Sequence, residues 1–260
     1  MNCAMRVSVG ERYVFSLEEG ETAIRSRNFL AGNRPVWQTF ADHQGDADIW
    51  LRLVRARGEK DAFSLLAYAR DGSELFPHGG MIGSAAAWYW QGRRELLWYG
   101  NARCTFYHAG GEDAVFYRDG YCVISERKEC TFHRREVWNG SHYVPLTDVT
   151  GKNGRYAMMF CKGVRQASLC ALGERILSAT PTPGMVLFVF PLSSCTLAIR
   201  AFSPGREVPA DYPAAVCAVR AACCFGYLPQ GERTTVYTAA GAYTFSESPG
   251  GTLYFLCGIG

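Results

Sequence analysis

No stretch of this sequence stays apolar for the 18 or so residues that a membrane-spanning helix needs. The longest apolar run, around Met185 to Leu192, has the length of a strand. Charge is thin as well: 27 Lys and Arg against 24 Asp and Glu leave a net charge of +3, with the basic residues scattered singly. The densest basic group, Arg127-Lys128 with Arg134-Arg135, reads as a solvated face and not as a nucleic-acid arm. No GxGxxG, no P-loop and no zinc-type spacing of His and Cys occurs, so no cofactor and no metal is expected. Cysteine is abundant, at 11, but a framework is missing: the number is odd, the spacing irregular, and CxxC absent. The start, Met1 to Val7, has no apolar run behind a basic residue, so no signal peptide is expected. Reduced, mostly buried thiols in a cytoplasmic protein are the expectation, and Cys223-Cys224 in an apolar helical run reads as core. The expected partner is a small-molecule substrate, with neither nucleic acid nor membrane, for a monomer or homodimer.

What is present is an ordinary globular composition: 260 residues, 48% hydrophobic and 20% charged, enough for one large or two small domains. Two stretches look like copies. Laid over one another at a constant offset of 139 positions, Asp71–Phe106 and Tyr212–Phe245 place His78 on Cys217. Gln91, Gly92, Arg94, Thr105 and Phe106 then fall on Gln230, Gly231, Arg233, Thr244 and Phe245. A period this long is a duplicated half and not a solenoid, whose repeats run at about 20–50 residues. The chain is therefore expected to form two similar halves, 1–125 and 126–260, with a cleft between them and the last strand able to return to the first half.

Short alternating or β-rich segments predict strands at Met5–Val9, Tyr13–Leu17, Ile49–Val54 and Phe63–Tyr68, with a helix within 22–44. Asp71-Gly72-Ser73 predicts a tight turn. Ser84–Trp90 is Ala-rich and apolar on nearly every side, which predicts a buried central helix whose start carries His78 and the bare backbone of Gly79, Gly80 and Gly83. Strands are expected at Glu95–Tyr99, Arg103–Tyr107, Ala114–Tyr117 and Tyr121–Ser125. In the second half they are expected at Cys130–Val137, Arg155–Phe160, Met185–Pro191, Cys195–Phe202, Thr234–Thr238, Ala242–Phe245 and Leu253–Cys257. Helices are expected at Gln166–Leu177 and over 213–228, the latter opened by Pro213.

Ala69-Arg70-Asp71-Gly72-Ser73-Glu74 before Pro77-His78-Gly79-Gly80-Met81-Ile82 resembles the segment of diaminopimelate epimerases in which an Asn-Ala-Asp-Gly-Ser-Glu turn precedes a Cys-Gly-Asn-Gly helix start. Asp42-His43 with Gly45 is similar to that family's upstream Asp-Arg-His-x-Gly stretch. Arg200-Ala201-Phe202-Ser203-Pro204-Gly205 and Asp211-Tyr212-Pro213-Ala214 also resemble the phenazine-biosynthesis isomerases, whose pattern is Arg-x-Phe-x-Pro followed by Asp-Pro-Ala-Thr-Gly-Ser. The resemblance implies an α+β fold of two pseudo-symmetric domains, each a curved mixed sheet wrapped around a central buried helix. It also implies a cofactor-independent racemase, epimerase or proton-shift isomerase acting on a small carboxylate or amino-acid-like metabolite. His78 and Cys217 would be the opposed acid/base pair, and Gly79, Gly80, Ala218, Val219, Arg220 and Ser203 would stand at substrate-binding positions.

The departures from the epimerase pattern point away from diaminopimelate as substrate. His78 replaces the first catalytic Cys, Ala69, Gly80 and Ser203-Pro204 replace the substrate-anchoring residues, and Ala218-Val219-Arg220 replaces a Gly-Thr-Gly. Each candidate also has a plain structural reading: His78 as a cap, Cys217 as packing, Glu74 as a surface residue, Arg220 as a solvated helix edge, and Asp211 as a common loop residue before Pro. Three functions follow: the two-base isomerase, an isomerase using one of the two residues, and an inactive relative that serves as a small-molecule binding or regulatory module.

Overall fold

The structure, a computed structural model, describes residues 3–5, 13–18, 49–56, 58–69, 71–91, 102–126, 130–138, 143–151, 154–161, 169–179, 184–229, 231–239 and 241–258. The chain divides into two compact units, Met1–Ser125 with Phe255–Gly260, and Glu126–Tyr254. In the first unit β1 (Cys3–Met5) and β2 (Tyr13–Glu18) pair antiparallel. Strand β3 (Ile49–Arg55) lies parallel to β2 and antiparallel to β4 (Ala62–Ala69), which is followed by the short β5 (Glu74–Leu75). Helix α1 (Gly79–Gln91) comes next. Strand β6 (Arg103–His108) runs parallel to β4, and β7 (Gly111–Arg118) and β8 (Tyr121–Glu126) complete a meander.

The second unit opens with β9 (Thr131–Trp138), β10 (Tyr143–Gly151) and β11 (Gly154–Phe160), paired antiparallel. Helix α2 (Leu169–Ala179) leads to β12 (Met185–Ser193), parallel to β11, and β13 (Thr196–Ser203) pairs antiparallel with β12. The short β14 (Arg206–Val208) precedes helix α3 (Tyr212–Cys224). Strand β15 (Arg233–Thr238) runs parallel to β13, β16 (Gly241–Glu247) returns antiparallel, and β17 (Leu253–Gly258) pairs with β8.

Strand for strand the two units repeat one topology, β1 to β7 with α1 matching β10 to β16 with α3, while β17 joins β8 in the first unit; β9 has no counterpart among the described residues. The fold is α+β with two pseudo-symmetric halves. The register of that symmetry differs from the sequence expectation. A constant offset of 139 lays β6 on β16, one strand too far, whereas the pairings make β15 the partner of β6. Gly79 opens α1 where Tyr212 opens α3, so the helices correspond at an offset of 133, and β6 and β15 correspond at 130. Connections of unequal length cause the drift, and no single offset survives it.

Helix α1 forms because Ala85, Ala86 and Ala87 carry high helix propensity, and it is enclosed because Met81, Ile82, Tyr89 and Trp90 leave it no polar face. Trp88 stacks on Phe15 with ring centroids 5.1 Å apart, and Tyr89 meets Phe63 edge-on at 4.7 Å. Trp90 and Phe202 are core residues of their units. Helix α3 stops at Cys224, short of the expected 228, because Gly226 turns to φ 74° and its N–H closes onto the Cys223 carbonyl. Gly72 has φ 84° in the expected turn, where Asp71 Oδ1 accepts from the Ser73 N–H at 2.9 Å. Strand β10 is not expected from its sequence, since Pro145 and Asp148 interrupt it. It tolerates Pro145 because β11 accompanies it only over Thr147–Gly151, leaving one edge open at the proline. The helix expected within 22–44, the strand at 95–99 and the Asp42-His43-x-Gly45 stretch lie outside the described residues.

Gly83 stands in the second turn of α1, away from the helix start, and its bareness serves packing. A Cβ there would meet Ile124 and Phe255 at 3.0 Å and Cys257 at 3.3 Å. Gly83→Val should destabilise the protein by about 1–3 kcal/mol through overpacking. Gly83→Ala should cost less, because its higher helix propensity offsets about 1 kcal/mol; urea unfolding of the two variants checks the order.

Candidate functional site

Both central helices begin on a side chain that caps them. The His78 carbonyl accepts from the Ile82 N–H at 3.0 Å, and its Nδ1 accepts from the Met81 N–H at 3.4 Å. The Asp211 carbonyl accepts from the Ala215 N–H at 3.1 Å, and its Oδ1 accepts from the Ala214 N–H at 2.9 Å. The two arrangements agree position for position, so the structural counterpart of His78 is Asp211. Cys217 does not stand at a helix start: it is the sixth residue of α3 and 3% exposed. The placement of His78 and Cys217 on equivalent positions is thereby corrected, and its cause is the offset of 139.

The two helix starts offer different chemistry. A neutral imidazole that accepts at Nδ1 carries its proton on Nε2, so His78 presents a donor there. The first-turn N–H groups of a helix have no carbonyl within it to bond, and α1 begins with Gly79 and Gly80, both buried and without side chains. Helix α3 begins with Tyr212 and Pro213, and the proline has no N–H to give. Its start is accordingly poorer in donors and richer in acid. Burial pushes the Asp211 carboxyl above its ordinary value of 3.8, although the Ala214 N–H and the Tyr156 hydroxyl both bond it. Burial, followed by the nearby Asp211 carboxylate, pushes the Tyr156 phenol up in turn.

Around Asp211 the second unit gathers Glu126, Cys130 and Tyr156, which no sequence pattern flags, together with Tyr212, Cys217 and Arg220. Tyr212 donates its hydroxyl to Glu126 Oε1 at 2.5 Å, with both side chains buried. Arg220 Nη2 donates to the Glu126 carbonyl at 2.5 Å, so this arginine grips the backbone entering the unit. Cys217 Sγ lies 3.6 Å from Cys130 Sγ. Gly151 and Gly154 flank the cluster: a Cβ on Gly151 would meet Cys217 Sγ at 3.1 Å, and one on Gly154 would meet the Tyr156 hydroxyl at 2.6 Å. Sequence offers one signal for this, the two glycines either side of Lys152-Asn153, and it does not name their neighbours.

The remaining candidates disperse. Ala218 and Val219 are buried in the second turn of α3, and Ser203 ends β13, where its Oγ donates to the Gly184 carbonyl at 3.4 Å. Glu74 is exposed on β5. Arg200 is held by both oxygens of Glu207, at 2.7 and 2.5 Å, which keeps the Glu207 carboxyl below the usual range. Among the described residues, no three side chains of His, Cys, Asp or Glu converge as a metal site requires. None of the described helices is long and apolar enough to cross a membrane.

The raised Asp211 value carries a sign. A carboxyl with a folded value above its unfolded one favours folding most when protonated, and that contribution is lost as pH rises from about 3.8 through the folded value. Asp211→Asn keeps a good capping side chain without the buried charge. The variant should therefore melt above the wild type at pH 7, with the gap closing as pH falls toward about 4. Thermal melts of the two proteins across that range give the test.

No family model matches the chain, and no curated protein sequence matches it. Solved structures do. A phenazine biosynthesis protein of the PhzF family from Enterococcus faecalis superposes with TM-score 0.62 at 12% identity, over 98% of this chain and 92% of that one. A methylitaconate-delta-isomerase aligns with TM-score 0.57 at 11% identity, over 99% of this chain and 92% of that one. A hydroxyproline epimerase from Agrobacterium vitis with bound trans-4-hydroxy-L-proline aligns with TM-score 0.54 at 10% identity, over 97% and 87%. At these identities what is shared is architecture, and the chain is a divergent example of the fold common to the phenazine-biosynthesis, methylitaconate isomerase and hydroxyproline epimerase structures.

Proposed function

We propose that the protein is a cofactor-independent isomerase that moves a proton within a small carboxylate or amino-acid-like metabolite, with Asp211 as its acid/base and His78 as an electrophile. What supports this reading is the equivalence of the two capping positions: each helix start carries a side chain with proton chemistry, and the two differ in kind. Two similar structures bear the names of a hydroxyproline epimerase and a methylitaconate isomerase, and both of those compounds are carboxylates. In this scheme the Asp211 carboxylate takes the proton from the carbon beside the substrate carboxylate. Burial makes Asp211 a stronger base than an exposed aspartate, and the Tyr156 hydroxyl and the Ala214 N–H fix its orientation. Charge developing on the substrate carboxylate is met by the Nε2–H of His78 and the N–H groups of Gly79 and Gly80. Asp211, now protonated, returns the proton to the same carbon or to one conjugated with it. Cys217 takes no part, because its thiol is buried and bonded to Cys130, and both effects raise its pKa.

Deuterium exchange followed by NMR, with a pool of amino, hydroxy and unsaturated acids in heavy water, tests the assignment without assuming a product. Asp211→Asn should lower exchange about 100- to 10,000-fold, and His78→Ala about 100- to 1,000-fold. His78→Asn retains a cap and a donor and should lose less. Cys217→Ala should stay within a few-fold of wild type. If Cys217→Ala abolishes exchange while Asp211→Asn does not, the pair of His78 and Cys217 stands instead. If nothing exchanges but a member of the pool raises the melting temperature, the protein is a binding module.

A further inference from the structure

A pair of thiols sits inside the second unit with no structural task that accounts for it. Cys130 Sγ and Cys217 Sγ lie 3.6 Å apart, beside Gly151, where a Cβ would meet Cys217 Sγ at 3.1 Å and Cys130 Sγ at 3.6 Å. Their surroundings differ. Cys217 is 3% exposed on a helix turn, whereas Cys130 is partly exposed just before β9, outside regular structure. Arg220 supplies positive charge to Cys130. From these positions we infer that Cys130 and Cys217 form a peroxide-reactive dithiol, Cys130 being the sulfur that is oxidised first and Cys217 the one that closes the disulfide. The inference stands independently of the isomerase reading, since it needs neither His78 nor Asp211.

The electrostatics agree with that division. The hydrogen bond from Cys217, helped by Arg220, holds the Cys130 thiol below its ordinary range, so it reaches the nucleophilic thiolate more readily than a free cysteine. The same bond and burial keep the Cys217 proton in place. In the first step the Cys130 thiolate attacks the terminal oxygen of a hydroperoxide. The O–O bond breaks, an alkoxide or hydroxide leaves and takes up a proton, and Cys130 becomes a sulfenic acid, oxidised by two electrons. In the second step the Cys217 sulfur attacks the Cys130 sulfur, the S–O bond breaks, and the hydroxide leaves with the Cys217 proton as water. Two thiols and one hydroperoxide thus give one disulfide, one alcohol or water, and one water. The sulfurs must close from 3.6 Å to about 2.05 Å, a movement that rotation at Cβ and the irregular backbone at Cys130 can supply.

The test uses the full-length wild-type protein with hydrogen peroxide as the probe, followed by maleimide blocking and non-reducing peptide mapping. A disulfide joining Cys130 to Cys217 should form at peroxide concentrations that leave the exposed Cys170 and Cys224 in the maleimide-labelled form. In Cys217→Ser the reaction should stop at the sulfenic acid, and dimedone should label Cys130. In Cys130→Ser, Cys217 should stay reduced. The inference is overturned if Cys170 or Cys224 oxidises first, or if Cys130 oxidises in the wild type without a link to Cys217. The wild-type map decides this even where a variant folds poorly.

Discussion

Enclosing a helix that is apolar on every side is the constraint from which the rest of each unit follows. Residues Met81–Ala87 on α1 and Ala214–Val219 on α3 are buried without exception, so the sheets must wrap these helices and not merely cover one face. A helix held in this way offers a bound ligand polar groups chiefly at its ends, because most side chains in its middle are core. The first turn is the one place where polarity is obligatory, since its N–H groups need partners that the helix does not provide. His78 and Asp211 meet that need, once in each unit.

The two ends differ in what they offer. Gly79 and Gly80 leave the start of α1 bare, which suits a bound anion, whereas Tyr212 and Pro213 cover the start of α3 and remove a donor from it. An anion site next to Asp211 would oppose its ionised form, so a donor-poor neighbourhood and a buried carboxyl belong together. The β10–β11 hairpin completes this side, because glycine at 151 and 154 lets Cys217 and Tyr156 approach the strand backbone more closely than a side chain would allow.

Much of this fold was legible wherever the signal was local. The apolar segments that form α1 and α3, the alternating or β-rich run of β3 and the turn at Gly72 all follow from neighbouring residues. Strand β10 was hidden by Pro145, whose missing N–H matters only if a second strand lies beside it, and that is a tertiary fact. The register of the symmetry was hidden for a similar reason. Gln91-Gly92 and Gln230-Gly231 match as letters, but the first pair begins at the end of α1 while the second follows α3 by several residues. Matching letters thus pair His78 with Cys217, whereas the helix starts pair it with Asp211. Asp211 itself stands out in the sequence only as a match to the phenazine-type motif and as a loop residue before a proline; its capping role comes from the fold. Cys130, 87 positions from Cys217, and Glu126, 86 from Tyr212, belong to the site only through folding.

An architecture kept at 10–12% identity shows which features of the sequence the fold requires. Small residues along the buried helices and apolar strands around them can be met by many sequences, because volume and pattern matter more than identity. A capping position asks only for a side chain that accepts a hydrogen bond, and imidazole, carboxylate and hydroxyl can each do so with different reactivity. Substitution at the cap can therefore change the polar group presented at the helix start while preserving the helix and its core. The chain carries that freedom in visible form: the same first-turn bond is made by a nitrogen lone pair at His78 and by a carboxylate oxygen at Asp211.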